Sequence, residues 1–450
     1  MRACIGLVSF AIVGCSSAGP SDASVSRDAP PDAPCATEDP SERAPYTITF
    51  AGAPVSLFGP PAAPRFEEVF ELLASSGADA FYPWFGLVDT GGTATIAPHF
   101  YYFLPRAWSG GELACETVSP YAAAEGRLDL VFPALLFSAG EGASPFDEAV
   151  FRERYASVAT SCWAGHEARV VAHQVFDEVA WAHTRASGTG ETRPLEDVAR
   201  AVAILHELDD RPTLLVEAPG PLLFGADTSL DAAERERLVS LFWSAVEQTA
   251  PRVDRFGFDV YPVPYFSLGA VGDYVQLASE RAPATGRVAV LQAFSYGAES
   301  GHTLDVRGPT AAEARFMAFD AIVAGATQLI WYGASALDLS REDDAAVWEG
   351  VLSTTRTLAA LGPWLGGEEV PLETTGTGVS VFARRAGADG PLTVVLLNRS
   401  DTTTEGTALL PRTYDLVRGE DGARPTVEGR EVRVPMAPWS VTVLRAQDCP

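Results

Sequence analysis

The sequence predicts a (β/α)8 barrel followed by a small antiparallel β-domain, and three observations lead to this prediction. Between residues 46 and 365, β-branched or aromatic runs alternate with amphipathic helical patterns. The runs are apolar throughout, which is typical of parallel strands buried on both faces. Eight such alternations over roughly 320 residues favour a closed barrel over an open doubly wound sheet.

The eight strands are predicted in chain order. The first is expected at "APVSLFG", the second half of a predicted hairpin in "YTITFAGAPVSLFG". The others are predicted at 78–86, 128–137, 169–178, 212–220, 255–264, 287–297 and 327–335. Helical patterns lie between them, for example at 196–208 and 231–248, and a helix at 344–365 completes the barrel. An open sheet usually carries a Gly-rich turn after its first strand, and "GPPAAP" is not one.

After Leu365 the pattern changes to short apolar runs separated by Gly, Asp and Pro turns. The runs extend from "GVSVFARRA" to "SVTVLRA". Regular short strands of this kind predict an antiparallel β-sandwich over residues 366–450.

The N-terminal segment "MRACIGLVSFAIVGC" is typical of an export signal. Arg2 precedes about eleven apolar residues, too few for a membrane-spanning helix. "IVGC", ending at Cys15, resembles a bacterial lipobox, although Ile12 stands where Leu is usual. The resemblance implies a lipoprotein signal peptide over 1–15, lipidation of Cys15 and an exported chain. Ser16 after the Cys favours the outer membrane or cell surface, and residues 16–45 are expected to form a disordered tether.

Four further cysteines follow the signal peptide, and an oxidising compartment favours disulfides between them. Three pairings of Cys35, Cys115, Cys162 and Cys449 are open. We expect Cys115–Cys162 within the barrel and Cys35–Cys449 between the two ends. No CxxC motif or Cys/His cluster is present, so neither a metal site nor a cofactor is expected.

The charged residues exclude several classes of function. A formal net charge of -27 and the lack of a basic patch argue against nucleic-acid binding. The chain contains no Lys, which excludes Schiff-base enzymes, pyridoxal-phosphate enzymes and Walker-type phosphate loops. We expect a monomer whose only membrane contact is its lipid anchor.

Barrel active sites lie at the C-terminal ends of the strands, so polar and aromatic residues at those ends are the candidates. Carboxylates beside aromatic rings suit a sugar, because the rings stack on its apolar face and the acids orient its hydroxyls. Glycosidic hydrolysis needs one protonated carboxyl and usually a second, ionised one. The candidates are Tyr82, Trp84, His173, Asp177, Glu178, Glu217, Asp259, Tyr261, Gln292, Tyr296, Glu299, Trp331 and Tyr332.

Asp177 and Glu178 are adjacent, and two neighbouring carboxyls raise the pKa of one of them because they resist double ionisation. Neighbours in an extended strand point in opposite directions, however, so the sequence leaves open whether the two share a site.

Several motifs resemble the retaining glycoside hydrolases of clan A and their uncharacterised relatives: "FDEVAW" (176–181), "FDVYPVP" (258–264), "AVLQAFSYG" (289–297) and "EARFMAFDAIVAGATQLIWYGA" (313–334). The terminal "APWSVTVLRA" resembles the sandwich that is commonly appended to them. In that clan a Glu at the end of strand four is the acid/base and a Glu at the end of strand seven is the nucleophile. The resemblance implies Glu178 as acid/base with Asp177 in support.

The sequence departs from the clan at the nucleophile position, where it has Gln292, because an amide cannot form a stable glycosyl ester. Three interpretations remain. Asp259, Glu217 or Glu299 supplies the second carboxylate, with Asp259 favoured. In the second, an N-acetyl group of the substrate attacks, as in hexosaminidases, where an adjacent Asp–Glu pair also ends strand four. In the third, the barrel binds a glycan without cleaving it. The leading hypothesis is an exported hydrolase of poly- or oligosaccharides, and the alternative is a surface glycan-binding protein.

Overall fold

The structure is a computed structural model. It describes residues 44–58, 66–82, 129–133, 146–161, 165, 167–186, 195–299, 301, 304–375, 378–385, 387, 390–420 and 422–448. The predictions for the signal peptide, Cys15, tether residues 16–43, the four remaining cysteines and Trp84 concern residues outside these ranges, as do the side chains of Tyr82 and Glu299. At the end of the predicted tether, Ala44 is described and packs against the core.

Eight parallel strands form the N-terminal part of the chain. Each pairs in parallel with the next, and the eighth pairs with the first, which closes the sheet into a barrel. The strands are β1 (Thr47–Ala51), β2 (Ala80–Tyr82), β3 (Asp129–Pro133), β4 (Val170–Asp177), β5 (Thr213–Glu217), β6 (Arg255–Val260), β7 (Gly286–Gln292) and β8 (Gln328–Tyr332). Strands β2 to β8 overlap the predicted runs, so the alternation of apolar runs and helices did indicate a (β/α)8 barrel.

The first strand differs from the prediction. The barrel uses "TITFA" (Thr47–Ala51), whereas "VSLF" (Val55–Phe58) is a single helical turn. Gly52 has a left-handed backbone, with φ 91°, and Pro54 follows two residues later. A left-handed Gly turns the chain away from the strand direction, and Pro restricts the preceding residue and lacks a ladder donor. The predicted hairpin is therefore one strand followed by a turn and a short helix.

Helices follow the strands and cover the outside of the barrel. They are α1 (Val55–Phe58), α2 (Phe66–Ser75), α3 (Glu148–Ser161), α4 (Val179–Ala186), α5 (Leu195–Leu208), α6 (Gly220–Ala226), α7 (Ala232–Thr249), α8 (Ala270–Arg281), α9 (Tyr296–Glu299), α10 (Ala311–Val323) and α11 (Glu342–Leu365). In α10 the side chain of Thr310 accepts from the Glu313 backbone while Glu313 accepts from Thr310, a reciprocal cap that fixes where the helix begins.

Alternation along the strands divides the buried side chains into two cores. Small and β-branched residues such as Ala172, Val216, Val288 and Ile330 fill the barrel interior. The intervening residues, such as Phe256 and Phe258 of β6, point outward and pack in the larger core beneath the helices. Any side chain on a barrel strand therefore faces either the interior, with the mouth above it, or the helices.

The C-terminal part of the chain contains two antiparallel sheets. Their strands are β9 (Glu368–Glu369), β10 (Glu373–Thr375), β11 (Val379–Arg385), β12 (Leu392–Asn398), β13 (Thr404–Leu409), β14 (Leu416–Gly419), β15 (Thr426–Glu428), β16 (Glu431–Met436) and β17 (Ser440–Gln447). The four-stranded sheet has the order β10-β13-β16-β15 and the five-stranded sheet the order β14-β17-β12-β11-β9. One apolar cluster joins Val394 and Leu444 of the larger sheet to Ala408 and Val434 of the smaller.

Arg399, directly after β12, links these sheets to the barrel helices. Its guanidinium lies 3.0 Å from the carboxylate of Asp320 on α10, which is buried. It also lies 2.6 Å from the exposed carboxylate of Asp273 on α8 and donates to the Gly269 carbonyl. Beside it, the Trp439 ring packs edge-on against Phe316, with 5.5 Å between ring centroids. One Arg and one Trp therefore connect the C-terminal sheets to the barrel helices.

Among the described residues, no helix has the length and hydropathy needed to cross a bilayer.

Candidate functional site

A cavity of about 260 Å³ lies at the C-terminal mouth of the barrel. One side is acidic, with side chains from β4 and β6, and the other is aromatic, with rings from the ends of β6, β7 and β8. The cavity is lined by Ala51, Gln174, Asp177, Glu178, Val216, Asp259, Tyr261, Val290, Phe294, Tyr296, Ile330 and Tyr332. Asp177, Glu178, Asp259, Tyr261, Tyr296 and Tyr332 are the sequence-predicted candidates that the structure brings together here.

Asp177 and Glu178 both line the cavity because β4 departs twice from a regular strand. Its pairing with β5 shifts register between Gln174 and Phe176, so one extra residue places Gln174 and Asp177 on the same side. Glu178 then adopts a left-handed backbone with φ 47°, which returns its side chain to the cavity. Such a backbone is unfavourable for a residue with a Cβ and is concentrated at functional sites. Both carboxyls therefore line one cavity, although strict alternation would point them in opposite directions.

The Glu178 and Asp259 carboxyls lie close enough to shift each other's pKa. Burial raises the pKa of Asp259 well above its usual range, and the charges of Glu178 and Asp177 raise it further. The pKa of Glu178 is also raised, mainly by burial, although the hydrogen bond with Asp259 and the charge of Arg185 oppose the increase. Two neighbouring carboxyls resist double ionisation, so the pair holds a proton at pH values where an exposed acid has lost it.

Asp177 forms the second part of the acidic side. Its Oδ1 accepts a hydrogen bond of 3.1 Å from Gln174 Nε2. Burial raises the pKa of Asp177 well above its usual range, the charge of Glu178 adds to the increase, and the Gln174 hydrogen bond lowers it. The cavity therefore holds three carboxyls with raised pKa values, which is the condition for a protonated acid at neutral pH.

Two buried acceptor atoms of this cluster have no hydrogen-bond partner among the described residues: Gln174 Oε1 and Asp259 Oδ1. Gln174 is fully buried, and its amide nitrogen is already used toward Asp177 and the Phe176 carbonyl. An unsatisfied buried acceptor is costly, so both atoms suit a donor brought by a ligand.

Four rings form the aromatic side. Tyr261 stacks on Tyr332, with centroids 5.4 Å apart and planes at 17°. Phe294 meets the edges of Tyr261 and Tyr296 at 5.1 and 5.2 Å. The Tyr296 hydroxyl donates to the Tyr261 carbonyl over 3.3 Å. Tyr265, which is 58% exposed, continues the series outward at 5.4 Å from Tyr296. The rings hold one another in place and form a platform of the kind on which a sugar stacks.

Gln292 does not line the cavity, which differs from its predicted role as a substrate contact. Its Oε1 accepts from the Val263 amide and its Nε2 donates to the Val263 carbonyl, both at 2.9 Å, and Nε2 also donates to the Phe294 carbonyl over 3.1 Å. The amide holds the segment after β6 against the end of β7, so the residue at the clan's nucleophile position has a structural role here.

Glu217 also lies away from the cavity. Val216 points inward on β5, so the side chain of Glu217 faces the N-terminus of α4. Its carboxylate accepts from the backbone amides of Ala180, at 2.9 and 3.0 Å, and Trp181, at 3.4 Å. Burial raises the pKa of Glu217 to about 8, although these amides lower it. The residue orients the helix that begins directly after Glu178.

Trp331 and His173 likewise belong to the packing. Trp331 is fully buried between Ile330 and Tyr332, and its indole N–H donates to Thr355 Oγ1 on α11 over 3.1 Å. His173 is fully buried, with its Nε2 2.9 Å from Asp209 Oδ2. Trp331 as a sugar contact is therefore not what the structure shows, because strand alternation turns it toward the helices.

Six lining residues were not among the sequence-predicted candidates: Ala51, Gln174, Val216, Val290, Phe294 and Ile330. Gln174 and His173 are the two polar residues of the run "VVAHQVF", and Phe294 follows β7 in "QAFSYG". A polar side chain in a mostly apolar strand was the available signal for Gln174. Among the residues with described side chains, no group of three or more His, Cys, Asp or Glu has the arrangement needed to hold a metal ion.

Comparison with known proteins gives similarity at the level of fold. No protein-family model and no curated protein sequence matches the chain. Amy13B of Eubacterium rectale superposes with a TM-score of 0.50 at 10% identity, covering 90% of this chain and 96% of that one. An alpha-amylase from Anoxybacillus gives 0.48 at 11% identity, covering 90% and 98%. A GH30 endoxylanase from Clostridium papyrosolvens C71 gives 0.47 at 12% identity, covering 90% and 97%. At 10% identity, the superposition on Amy13B shows a shared fold.

Proposed function

We propose that this chain hydrolyses glycosidic bonds of a poly- or oligosaccharide, with Glu178 as the proton donor. The observation that supports the proposal is the presence of Asp177, Glu178 and Asp259 in one aromatic-walled cavity at the C-terminal mouth of the barrel. Barrel enzymes place their chemistry at this mouth, and a raised carboxyl pKa keeps a general acid protonated at neutral pH.

The proposed reaction begins with transfer of the Glu178 proton to the glycosidic oxygen as the bond from that oxygen to the anomeric carbon breaks. In this step the proton held by the Glu178–Asp259 pair lies on Glu178, and the ionised Asp259 stabilises the positive charge that develops on the sugar ring. Water then adds to the anomeric carbon, and the proton that it loses returns to a carboxylate of the cluster. The aromatic side stacks on the sugar and limits access of bulk water.

Substitution of Glu178 by Gln tests this function. We expect Glu178→Gln to reduce turnover of a responsive chromogenic glycoside by about 10³-fold or more, because the amide has no proton to donate. The circular dichroism spectrum should be unchanged. Glu236→Gln, on the exposed face of α7, is the matched control and should retain full turnover. Near-normal turnover in Glu178→Gln would remove Glu178 from the role.

A second candidate function is glycan binding without cleavage, and Gln292 favours it. It stands where the glycosidases that the sequence resembles have their nucleophile, and an amide cannot form a stable glycosyl ester. If the chain only binds glycans, calorimetry should detect oligosaccharide binding and no hydrolysis product should form in prolonged incubation. Glu178→Gln should then change only the affinity for the oligosaccharide.

We also propose that the protein is exported and lipid-anchored at the outer membrane or cell surface, that the four later cysteines form two disulfides, and that the C-terminal sheets form a β-sandwich. The lipobox-like "IVGC" and the even cysteine number support the first two, and the apolar cluster shared by the two sheets supports the third. Cys15→Ala should move the protein from the membrane fraction to the soluble fraction, and equal partitioning of variant and wild type would contradict the anchor.

A further inference from the structure

The ionisable side chains that line the cavity are all acidic or phenolic. They are the carboxyls of Asp177, Glu178 and Asp259 and the phenols of Tyr261, Tyr296 and Tyr332. Within the described part of the chain, no basic side chain lines the cavity. The cation that acts on the cluster is Arg185 of α4, whose charge reaches Glu178 and whose guanidinium lies over the Trp181 ring. The cavity therefore carries more acid than its surroundings neutralise.

The two unpartnered acceptors are an independent indication of what the cavity binds. Gln174 Oε1 and Asp259 Oδ1 are buried and have no donor among the described residues. A hydroxyl offers one donor, whereas an ammonium group offers three on a single atom. A single ammonium can thus satisfy the amide oxygen and the carboxylates together, with the stronger hydrogen bonds that a charged donor makes.

The aromatic side favours the same kind of ligand. The faces of Tyr and Phe rings carry negative electrostatic potential and attract a cation within about 6 Å of the ring centre. Tyr261 and Phe294 line the same cavity as the acids. At about 260 Å³ the cavity is close to the lower end of small-molecule sites, which suits a single sugar ring.

We propose that the cavity binds a sugar residue with a free, protonated amine, of the glucosamine type, in preference to its N-acetylated or neutral counterpart. This inference rests on the proposed function in taking the ligand to be a sugar. The ammonium lies among Gln174, Asp177 and Asp259, and the ring stacks on the aromatic side. In the free protein, protons neutralise the carboxyls. The ammonium replaces them, so binding releases protons to the solvent.

The titratable and charged groups around the cluster are Asp177 of β4, Glu178, Arg185 of α4, Glu217 of β5, Asp259 of β6 and the three cavity tyrosines. Tyr261 stays protonated at neutral pH, since burial raises its pKa well above its usual range. The released proton therefore comes from the carboxyls.

Calorimetry with three methyl glycosides, those of glucosamine, N-acetylglucosamine and glucose, tests the inference on the full-length protein. We expect the glucosaminide to bind at least about tenfold more tightly than the other two, because its ammonium interacts with both the carboxylates and the rings. Repeating the titration in buffers of different ionisation enthalpy should show release of about one proton per glucosaminide and none for the neutral sugars. Equal or tighter binding of either neutral glycoside, or no binding of any of them, would overturn the inference.

Two variants test whether the preference for glucosaminide comes from the cavity or from the negative charge of the whole chain. Asp259→Asn should reduce the preference for glucosaminide to threefold or less, whereas Asp210→Asn, an exposed site before β5, should preserve it. An unchanged preference in folded Asp259→Asn would refute the assignment. If Asp259→Asn does not fold, the wild-type comparison and its proton release decide the question.

Binding preference without hydrolysis would count against the proposed enzyme alone, while hydrolysis confined to neutral glycosides would count against this inference alone.

Discussion

At the scale of single residues, Gln292 shows how a residue at a familiar position can have a different role. Its amide makes two hydrogen bonds with Val263 and one with the Phe294 carbonyl, and the residue is fully buried. Gln292 therefore fixes the segment after β6, and the proposed chemistry depends on the carboxyls of Asp177, Glu178 and Asp259.

Gln292→Glu introduces the residue type that clan A glycoside hydrolases, which the sequence resembles, have at this position, but we expect no gain in activity. The new carboxylate would face two carbonyl oxygens and lose both donated hydrogen bonds, which should lower the free energy of unfolding by about 2–4 kcal/mol. Urea denaturation measures this change. Gln248→Glu, at an exposed amide that also donates to a carbonyl, should change stability by less than about 0.5 kcal/mol. An active, stable Gln292→Glu would contradict the structural role.

The sequence identified Asp177, Glu178 and Asp259 because carboxylates at the ends of apolar strands are conspicuous. It missed Gln174 as a cavity residue and wrongly placed Glu217 in the cavity. Both errors concern the direction in which a strand residue points. The bulge in β4 brings Gln174 and Asp177 to one side, whereas regular alternation in β5 turns Glu217 outward. A local irregularity of this kind depends on pairing with the neighbouring strand, which the pattern of one strand does not contain.

At the scale of elements, the position of α4 depends on Glu217. The helix starts one residue after Glu178, and its first amides donate to the Glu217 carboxylate. This acid is fully buried, and burial raises its pKa to about 8 from the usual 4.5. The folded chain thus holds this proton between pH 4.5 and 8 while the unfolded chain loses it, so this residue makes stability fall as the pH rises through that window.

Glu217→Gln should reduce this pH dependence, because the amide keeps an acceptor for the helix but does not titrate. We expect the slope of unfolding free energy against pH, measured by urea denaturation between pH 5 and 8, to become less negative by up to about 1.4 kcal/mol per pH unit. Glu349→Gln, exposed on α11, should leave the slope unchanged. Equal slopes in wild type and Glu217→Gln would show that Glu217 does not titrate in this window.

Seven barrel strands were predictable because their apolar runs are continuous and bounded by turns. β1 was not, since "TITFA" and "APVSLFG" are equally apolar and the distinction depends on Gly52 and Pro54. Tertiary pairing with β2 and β8 selects "TITFA" for the barrel. Short strands of the C-terminal sheets, such as Glu368–Glu369 and Thr426–Glu428, are polar and exposed and had no hydrophobic signal.

At the scale of the whole molecule, Arg399 connects the C-terminal sheets to two barrel helices. Its partner Asp320 is 2% exposed, and burial raises the pKa of Asp320 to about 7 even though the charge of Arg399 lowers it. Gly272 donates its amide to the same carboxylate over 2.8 Å. The link thus combines one buried acid with a guanidinium that reaches both α8 and α10.

Arg399→Ala should lower the free energy of unfolding by about 2–4 kcal/mol, because it leaves a buried carboxylate without its cation. The loss should be greater at pH 8 than at pH 6, where Asp320 can take up a proton instead. Asp320→Asn in the Arg399→Ala background should recover part of the loss, and Arg356→Ala, exposed on α11, should have little effect. A loss in Arg399→Ala that is the same at both pH values would indicate that packing, not charge, holds the link.

The irregular end of β4 determines which of its polar side chains face the barrel mouth. Three polar groups reach the mouth from the five-residue stretch 174–178, whereas a regular strand would deliver fewer. Loops after the other strands can lengthen or diversify without moving these three groups. Inserting or deleting a single amino acid within that stretch would, by contrast, shift the register of β4 and turn some of them away from the mouth.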